Sequence, residues 1–368
     1  MALPEPHSRP LDRFVPQHLA SRNERSRVCM KILIDIKHPA QLNLFKHLAK
    51  ELTDEGWDVT ISYLDRGKLP KIIEREYPDF KKIKVGKSTG SKWSIIWDGN
   101  VTRIAKFLQL IFRNKYNIVV AASSLPLALA AFVTRTPIIQ FYDDPERKRI
   151  NQFNAMLSNK LFYPPIINKS KKIDLFNCLK EWSYLSPRRF KPNENALAAY
   201  GLIKHEYIFV REVSNKSFNY FGQSPAIIST FAKSMSDKCK VILSLEDKSF
   251  ANAYPKEWII LQEPVTDIHS LIYFSKLVLS SGDSMAREGG MLGVPSIYCG
   301  FREMKANEIL MKEGMLSHLP GDNALPQIND LIAKPFDASL QANLRSALLQ
   351  KWDDMIEFMK SRIYEYKK

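Results

Sequence analysis

Leu279-Ser-Ser-Gly-Asp-Ser-Met-Ala-Arg-Glu-Gly-Gly-Met-Leu-Gly-Val-Pro-Ser-Ile-Tyr298 packs a strand end, a small polar turn, a short helix and a second strand into one stretch. An apolar strand closes at Ser280, the helix starts near Ser284, and the next strand opens after Gly293-Val294-Pro295. Strand, turn, helix and strand in that order are the grammar of a parallel sheet covered by helices. Gly282 and Ser284 put backbone N–H groups at a helix N-terminus, a site suited to a pyrophosphate. Glu288 lies one turn beyond Ser284 on the same face, where a carboxylate can accept from two ribose hydroxyls. A plain junction would use the same residues, because Gly, Asp and Ser cap helices and make turns wherever a strand gives way to one.

The grammar repeats on both sides. Upstream, Ile32–Ile36, Val59–Tyr63, Ile118–Ala122 and Pro137–Phe141 read as strands. A helix with Leu42, Phe45, Leu48 and Leu52 on one face ends at Gly56, and a short apolar helix covers Leu125–Thr134. Tyr163–Pro192 loosens into prolines, lysines and polar residues and reads as a crossing between domains. Tyr207–Val210, Val241–Leu245, Trp258–Leu261, Leu277–Ser280 and Ser296–Tyr298 then restart the alternation. The chain closes in one long amphipathic helix bearing Leu340, Leu344, Leu348, Trp352, Met355, Ile356, Met359 and Ile363. The expected architecture is α/β, with two Rossmann-like domains whose parallel sheets face a central cleft. Residues 30–170 form the first domain and 171–340 the second. Residues 341–368 are a terminal helix packing back on the first domain, and 1–29 a disordered leader or non-native extension.

A chain of 368 residues has room for two such cores, and its 45% hydrophobic and 25% charged composition is that of a soluble globular protein. Cys29, Cys178, Cys239 and Cys299 lie far apart, which points to reduced thiols in a cytosolic protein rather than disulfides or zinc. The longest apolar run, Ile118–Val133, is interrupted by Ser123, Ser124 and Pro126 and falls short of the roughly 18 residues of a spanning helix. The net charge of +15 calls for an anionic partner. Without zinc-finger spacing, an RNP-type aromatic motif or a compact basic run, that partner is not expected to be nucleic acid.

Ser281–Pro295 resembles the donor-binding segment of the lipid-linked N-acetylglucosaminyltransferases of peptidoglycan synthesis and of the hydrolysing UDP-N-acetylglucosamine 2-epimerases. The chain is more similar still to an uncharacterised prokaryotic family of GT-B-like, glycosyltransferase-like proteins. Ile34-Asp-Ile-Lys-His-Pro-Ala40 with Gln41 resembles that family's opening motif. Phe141-Tyr-Asp-Asp144 is similar to its acidic strand end, Lys180-Glu-Trp-Ser-Tyr-Leu185 to its inter-domain segment, and Arg211 to its arginine after a strand. The resemblance implies a GT-B-like fold with an acceptor domain first and a nucleotide-sugar domain second. It also implies a donor site on Ser281, Gly282, Asp283, Ser284, Met285 and Glu288. The implied activity is transfer of a sugar from a nucleotide diphosphate, UDP above all, to a glycan or polyprenyl-linked acceptor in envelope polysaccharide synthesis. No cofactor is expected beyond that substrate. A 2-epimerase-like reaction and a non-catalytic nucleotide-binding scaffold are the alternatives.

Against that resemblance, individual residues take candidate roles. His38 follows the first strand at the carboxyl edge of the sheet, where an imidazole can take the proton of an acceptor hydroxyl or simply cap the next helix. Asp143 can handle a proton at the cleft mouth, with Asp144 capping a helix that starts at Pro145. Asp35 reads as a partner of loop amides. Arg211, with Ser214, can neutralise the departing diphosphate or form a surface salt bridge. The chain has no Asp-x-Asp, the metal clamp of the other large glycosyltransferase fold, so no metal is expected. Gly86-Lys-Ser-Thr-Gly90 lacks the upstream glycine of a P-loop. Trp93, Ile95, Ile96 and Trp97 lead into a helix with Val101, Ile104, Leu108, Ile111 and Phe112 on one face and Arg103, Lys106, Arg113 and Lys115 beside it. An anionic membrane surface is therefore a candidate partner, with the protein cytoplasmic or peripheral on the inner face of the cell membrane.

Overall fold

A computed structural model describes residues 29–367, apart from 88–100, 216–219, 221–222, 236–237, 263–264 and 266. The leader read at residues 1–29, but for Cys29, lies outside the described residues. So do Ser88–Gly90 of the glycine-rich decoy and the segment with Trp93, Ile95, Ile96 and Trp97.

Among the described residues, thirteen strands form two all-parallel sheets. The first takes β1 (Lys31–Ile36), β2 (Asp58–Asp65), β3 (Lys81–Lys87), β4 (Ile118–Ala121), β5 (Ile138–Phe141), β6 (Lys160–Tyr163) and β7 (Ile173–Leu175), in the order 3-2-1-4-5-6-7. The second takes β8 (Tyr207–Glu212), β9 (Lys240–Leu245), β10 (Ile259–Ile260), β11 (Leu277–Ser280), β12 (Ser296–Tyr298) and β13 (Leu316–His318), in the order 10-9-8-11-12-13. Central strands such as Ile118–Ala121 and Leu277–Ser280 are apolar and buried throughout, as strands covered on both faces must be. Strand order reverses between β1 and β4 and again between β8 and β11. Open α/β sheets bind ligands outside the carboxyl ends of such pairs.

Helices α1 (Pro39–Asp54) and α2 (Leu69–Glu76) cover one face of the first sheet, and α3 (Thr102–Asn114), α4 (Leu125–Thr134) and α5 (Lys148–Leu157) cover the other. The two-residue alternation of β1 shows this directly. Ile32, Ile34 and Ile36 share a core with Leu42, Phe45 and Leu48, whereas Leu33 joins Phe107, Ile111 and Leu127. In α3 the buried residues are Arg103, Phe107 and Ile111, so the expected apolar face is split, and Val101 and Phe112 are exposed. Arg103 is drawn inward by Asp35 and takes no part in a basic flank.

Two departures concern the domain ends. The first sheet runs to Leu175, beyond the 170/171 division expected between domains. The terminal helix is two helices, Ala338–Lys351 and Met355–Tyr364, broken at an extended Trp352. Asp354 stops any continuation by accepting from the amides of Ile356 and Glu357, and Trp352 packs edge-on against Trp182 at 5.2 Å. The first of the pair binds the second domain, where Gln341 Nε2 donates to the Leu292 carbonyl at 3.0 Å. The second returns to the first domain. Tyr364 stacks on Trp57 at 5.9 Å, and Lys360 pairs with Glu55 at 2.7 Å and Glu51 at 3.1 Å. No helix of the described residues is long and apolar enough to cross a membrane.

Candidate functional site

The helix at Asp283–Met291, hereafter the donor-side helix, springs from the end of β11 at the second switch point. Gly282 is its N-cap and supplies no side-chain cap, so the amides of the first turn are left for a ligand. A Cβ at Gly282 would lie 2.5 Å from Val213 Cγ1, so only glycine lets the segment after β8 approach this closely. Ser281 Oγ accepts from the Val213 amide at 3.0 Å and thus holds that segment in place. Asp283 is buried, accepts from the Tyr220 hydroxyl and pairs with Arg287 at 2.9 Å. Ser281, Gly282 and Asp283 therefore build the turn, and Ser284 and Met285 are the half-buried residues of the helix that face the opening.

Glu288 sits one turn on, 7% exposed. Its Oε1 accepts from the Tyr184 hydroxyl at 2.6 Å, while among the described residues Oε2 is met only by His269 Nε2, at 3.5 Å. Burial pushes this carboxyl up, but His269 and the Tyr184 hydroxyl outweigh it and hold it below its ordinary value. An ionised, buried carboxylate oxygen held only by one contact at 3.5 Å keeps lone pairs to accept from a ligand's hydroxyls.

Arg287, fully buried, binds the two domains together. Its guanidinium meets Glu181 at 2.7 Å, Asp283 at 2.9 Å and Asp143 at 3.2 Å, and donates to Asn307 Oδ1 at 3.0 Å. Lys180 reaches Asp143 at 2.5 Å from the other side. Burial alone would raise the Asp143 carboxyl, but the charges of Lys180 and Arg287 hold it low. Asp144 pairs with Arg302 at 2.7 Å across the cleft. Its expected capping role falls away, since the helix starts at Lys148 and has Arg147 at its N-cap.

His38 caps α1, its Nδ1 accepting from the Ala40 amide at 3.3 Å. The ring opens to the water of the cleft yet lies among cations. The protein crowded around the cleft desolvates it, and Arg66, Lys180, Lys37 and Arg211 add to this, pushing its pKa down to about 4, so it is neutral near pH 7. Beside it, Lys37 donates to the Ser123 carbonyl, and burial with Arg103 lowers its pKa to about 8. Asp35 is bound to the Arg103 side chain through both oxygens at 2.7 Å and accepts from Ser62 and Ser124 at 3.0 and 2.7 Å. It holds the floor of the site through side chains rather than the loop amides expected of it.

Arg211 belongs to β8 itself rather than following it. Its carbonyl accepts from Ser281 at 3.0 Å, but its guanidinium turns along the sheet to Ser244 at 2.9 Å and Glu246 at 3.2 Å. The Ser214 amide donates to the same Glu246 carboxylate at 3.2 Å. This is the salt-bridge alternative for Arg211, placed beside the donor turn. The residues that sequence reasoning did not name for the site are Arg287, Lys180, Glu181, Tyr184, His269 and Arg302. The first four lie inside quoted motifs, Ser281–Pro295 and Lys180–Leu185. His269 and Arg302 carry no local signal.

The chain belongs to the DUF354 family, described as a protein of unknown function, whose profile matches residues 30–368. This is the GT-B-like family whose motifs the sequence resembles. An uncharacterised protein of Methanocaldococcus jannaschii is 23% identical over 292 residues, 75% of this chain and 83% of that protein. The UDP-GlcNAc 2-epimerase of the same organism has a similar structure, with a TM-score of 0.62 at 14% identity, covering 92% of this chain and 100% of that one. Glycosyltransferase VinC, solved with dTDP, gives 0.63 at 12% identity with coverage of 92% and 100%. Identities this low speak for the fold alone: two Rossmann-like domains in the GT-B arrangement.

Proposed function

We propose that this member of the family is a glycosyltransferase that takes a sugar from a nucleotide diphosphate, UDP above all, and passes it to a glycan or polyprenyl-linked acceptor. The observation that carries the reading is the buried Glu288 carboxylate, whose Oε2 is met only by His269 at 3.5 Å among the described residues, one turn beyond the half-open Ser284 at the uncapped N-terminus of the donor-side helix. In this reading the first-turn amides and Ser284 meet the phosphates, Met285 lies beside them, and Glu288 accepts from the ribose. Asp143 is too firmly held by Lys180 and Arg287 to act as a base, which leaves the acceptor proton to His38. Its present tautomer has the proton on Nε2, because Nδ1 accepts from Ala40. Moving the proton to Nδ1 gives up one long hydrogen bond, about 1 kcal/mol, and leaves Nε2 free to act.

Neutralisation completes the scheme. Desolvation depresses His38 most, and the charges of Arg66, Lys180, Lys37 and Arg211 add to it when no anion is bound. A diphosphate arriving opposite them offsets that field and raises the His38 pKa toward the working pH, where a general base is effective. Calorimetry with UDP, dTDP and GDP and their sugars tests the donor site. Glu288→Gln is expected to weaken nucleotide binding by about 1–3 kcal/mol, and Ser284→Ala less. Unchanged affinity in both variants would overturn the donor assignment. Product analysis of a bound UDP-sugar, with and without acceptor, separates transfer from 2-epimerisation.

A further inference from the structure

Helix α5 packs Ala155 and Leu157 inward but turns much of its apolar surface outward. Its single buried residue is polar Asn154, whose amide oxygen accepts from Gln140 Nε2 at 3.1 Å. Three of its apolar residues, Ile150, Phe153 and Met156, spaced by three, share the outer face, with Phe153 57% and Met156 71% exposed. The neighbouring helices add to the same layer. Phe132 and Val133 at the end of α4 are each 61% exposed, and Phe112 of α3 is 64% exposed. Seven of the eleven large hydrophobics exposed among the described residues belong to α3, α4, α5 or the residue before α3, a concentration that scattered surface residues do not produce.

The charge on this layer has one sign. There is no Asp or Glu between Asp98 and Asp143, nor between Glu146 and Asp174. Lys106, Arg113, Lys115, Arg135, Lys148 and Arg149 are all exposed on or beside the three helices. A second copy of the chain is a poor occupant, because a two-fold interface would bring these cationic rims against each other. Nucleic acid would use the cations and leave the Phe and Met side chains without a partner. An anionic bilayer takes both, burying the apolar residues at the headgroup boundary and meeting the cations with lipid phosphates.

We infer that the outer face of α3, α4 and α5 docks on an anionic phospholipid surface. The cleft lies at the edge of that face. Asn151 of α5 donates to the Asp144 carbonyl at 2.8 Å, and Asp143 stands next to it in the inter-domain network. A membrane-anchored acceptor would therefore reach the cleft from the docked side. That last step rests on the transferase reading, whereas docking itself needs no nucleotide.

The test is flotation of the full chain with vesicles of phosphatidylglycerol and phosphatidylcholine, against pure phosphatidylcholine, at low and high salt and without nucleotide. The wild type should float with the anionic vesicles, lose them as salt rises, and ignore the neutral ones. Each cation removed in Lys106→Gln, Arg113→Gln, Lys148→Gln and Arg149→Gln should weaken partitioning about fivefold. The triple variant Phe112→Ser, Phe153→Ser, Met156→Ser should abolish it while keeping nucleotide affinity and unfolding temperature. If that variant does not fold, the cation series decides the matter. No wild-type flotation at low salt, or equal flotation of the folded variants, overturns the inference. So does a dimer that the triple variant splits without any lipid binding.

Discussion

Arg287→Met keeps the length of the side chain and removes its charge. Asp143, Glu181 and Asp283 then lose a guanidinium at 3.2, 2.7 and 2.9 Å. Glu181 and Asp283 are each 2% exposed, so water cannot take its place. Breaking one buried pair costs about 3–5 kcal/mol. Lys180 remains on Asp143 and Tyr220 on Asp283, so Glu181 bears the largest loss and the total stays within that range rather than a multiple of it. The dependence on pH has a definite sign. In the wild type Asp143 and Asp283 are held below their ordinary value, so their contribution is complete above about pH 4 and is lost only on further acidification. In the variant the burial of Asp283 is no longer offset by Arg287, its largest favourable partner, and its folded carboxyl rises above the unfolded value, whereas Asp143 keeps Lys180. The variant should therefore regain stability between pH 7 and pH 5, where the wild type is level. Urea unfolding at both pH values measures this. A loss under about 1 kcal/mol at pH 7, or a deficit that widens on acidification, would refute the reasoning.

Other outcomes follow from the same geometry. His38→Ala should leave donor affinity nearly intact and lower turnover by roughly a hundredfold or more; a severe loss in Asp143→Asn with a mild one at His38 would move the base role to the carboxylate. In the pH profile, activity should fall on acidification as His38 protonates, at about 4 for kcat/KM of the free enzyme, and at a higher pH for kcat, once the donor's charge offsets the surrounding cations. Coincident acid limbs would show that the diphosphate does not face His38. Arg103→Leu should cost about 3–5 kcal/mol, because it strands the buried Asp35 carboxylate; a stability change within about 0.5 kcal/mol would show that Asp35 is satisfied without it.

What could be read in the sequence was local. Leu277–Ser280, the helix after it and Ser296–Tyr298 were legible because a buried strand, a capping turn and a glycine-terminated helix each leave their mark within a few neighbours. Lys81–Lys87 is an edge strand that alternates lysines with few apolar residues, and Ile173–Leu175 is three residues long at the opposite edge. Neither buries enough to print a pattern. The site divides the same way. Ser281 and Asp283 have the composition of phosphate contacts, but Val213 and Tyr220 claim them, and those partners lie more than sixty residues earlier. Arg287 reads as a solvated helix charge until Asp143 and Glu181 are seen against it, more than a hundred residues away in the chain. Yet the motifs that had to be quoted one by one meet in space. Asp143 of the strand end, Lys180 and Glu181 of the inter-domain segment and Arg287 of the donor stretch form one ion network, and Tyr184 of the second motif holds Glu288 of the third. Residues 283, 287 and 288 thus point from a single helix to the turn, the opposite domain and the expected ribose. Placing a donor on this helix therefore acts on the same element that ties the domains together.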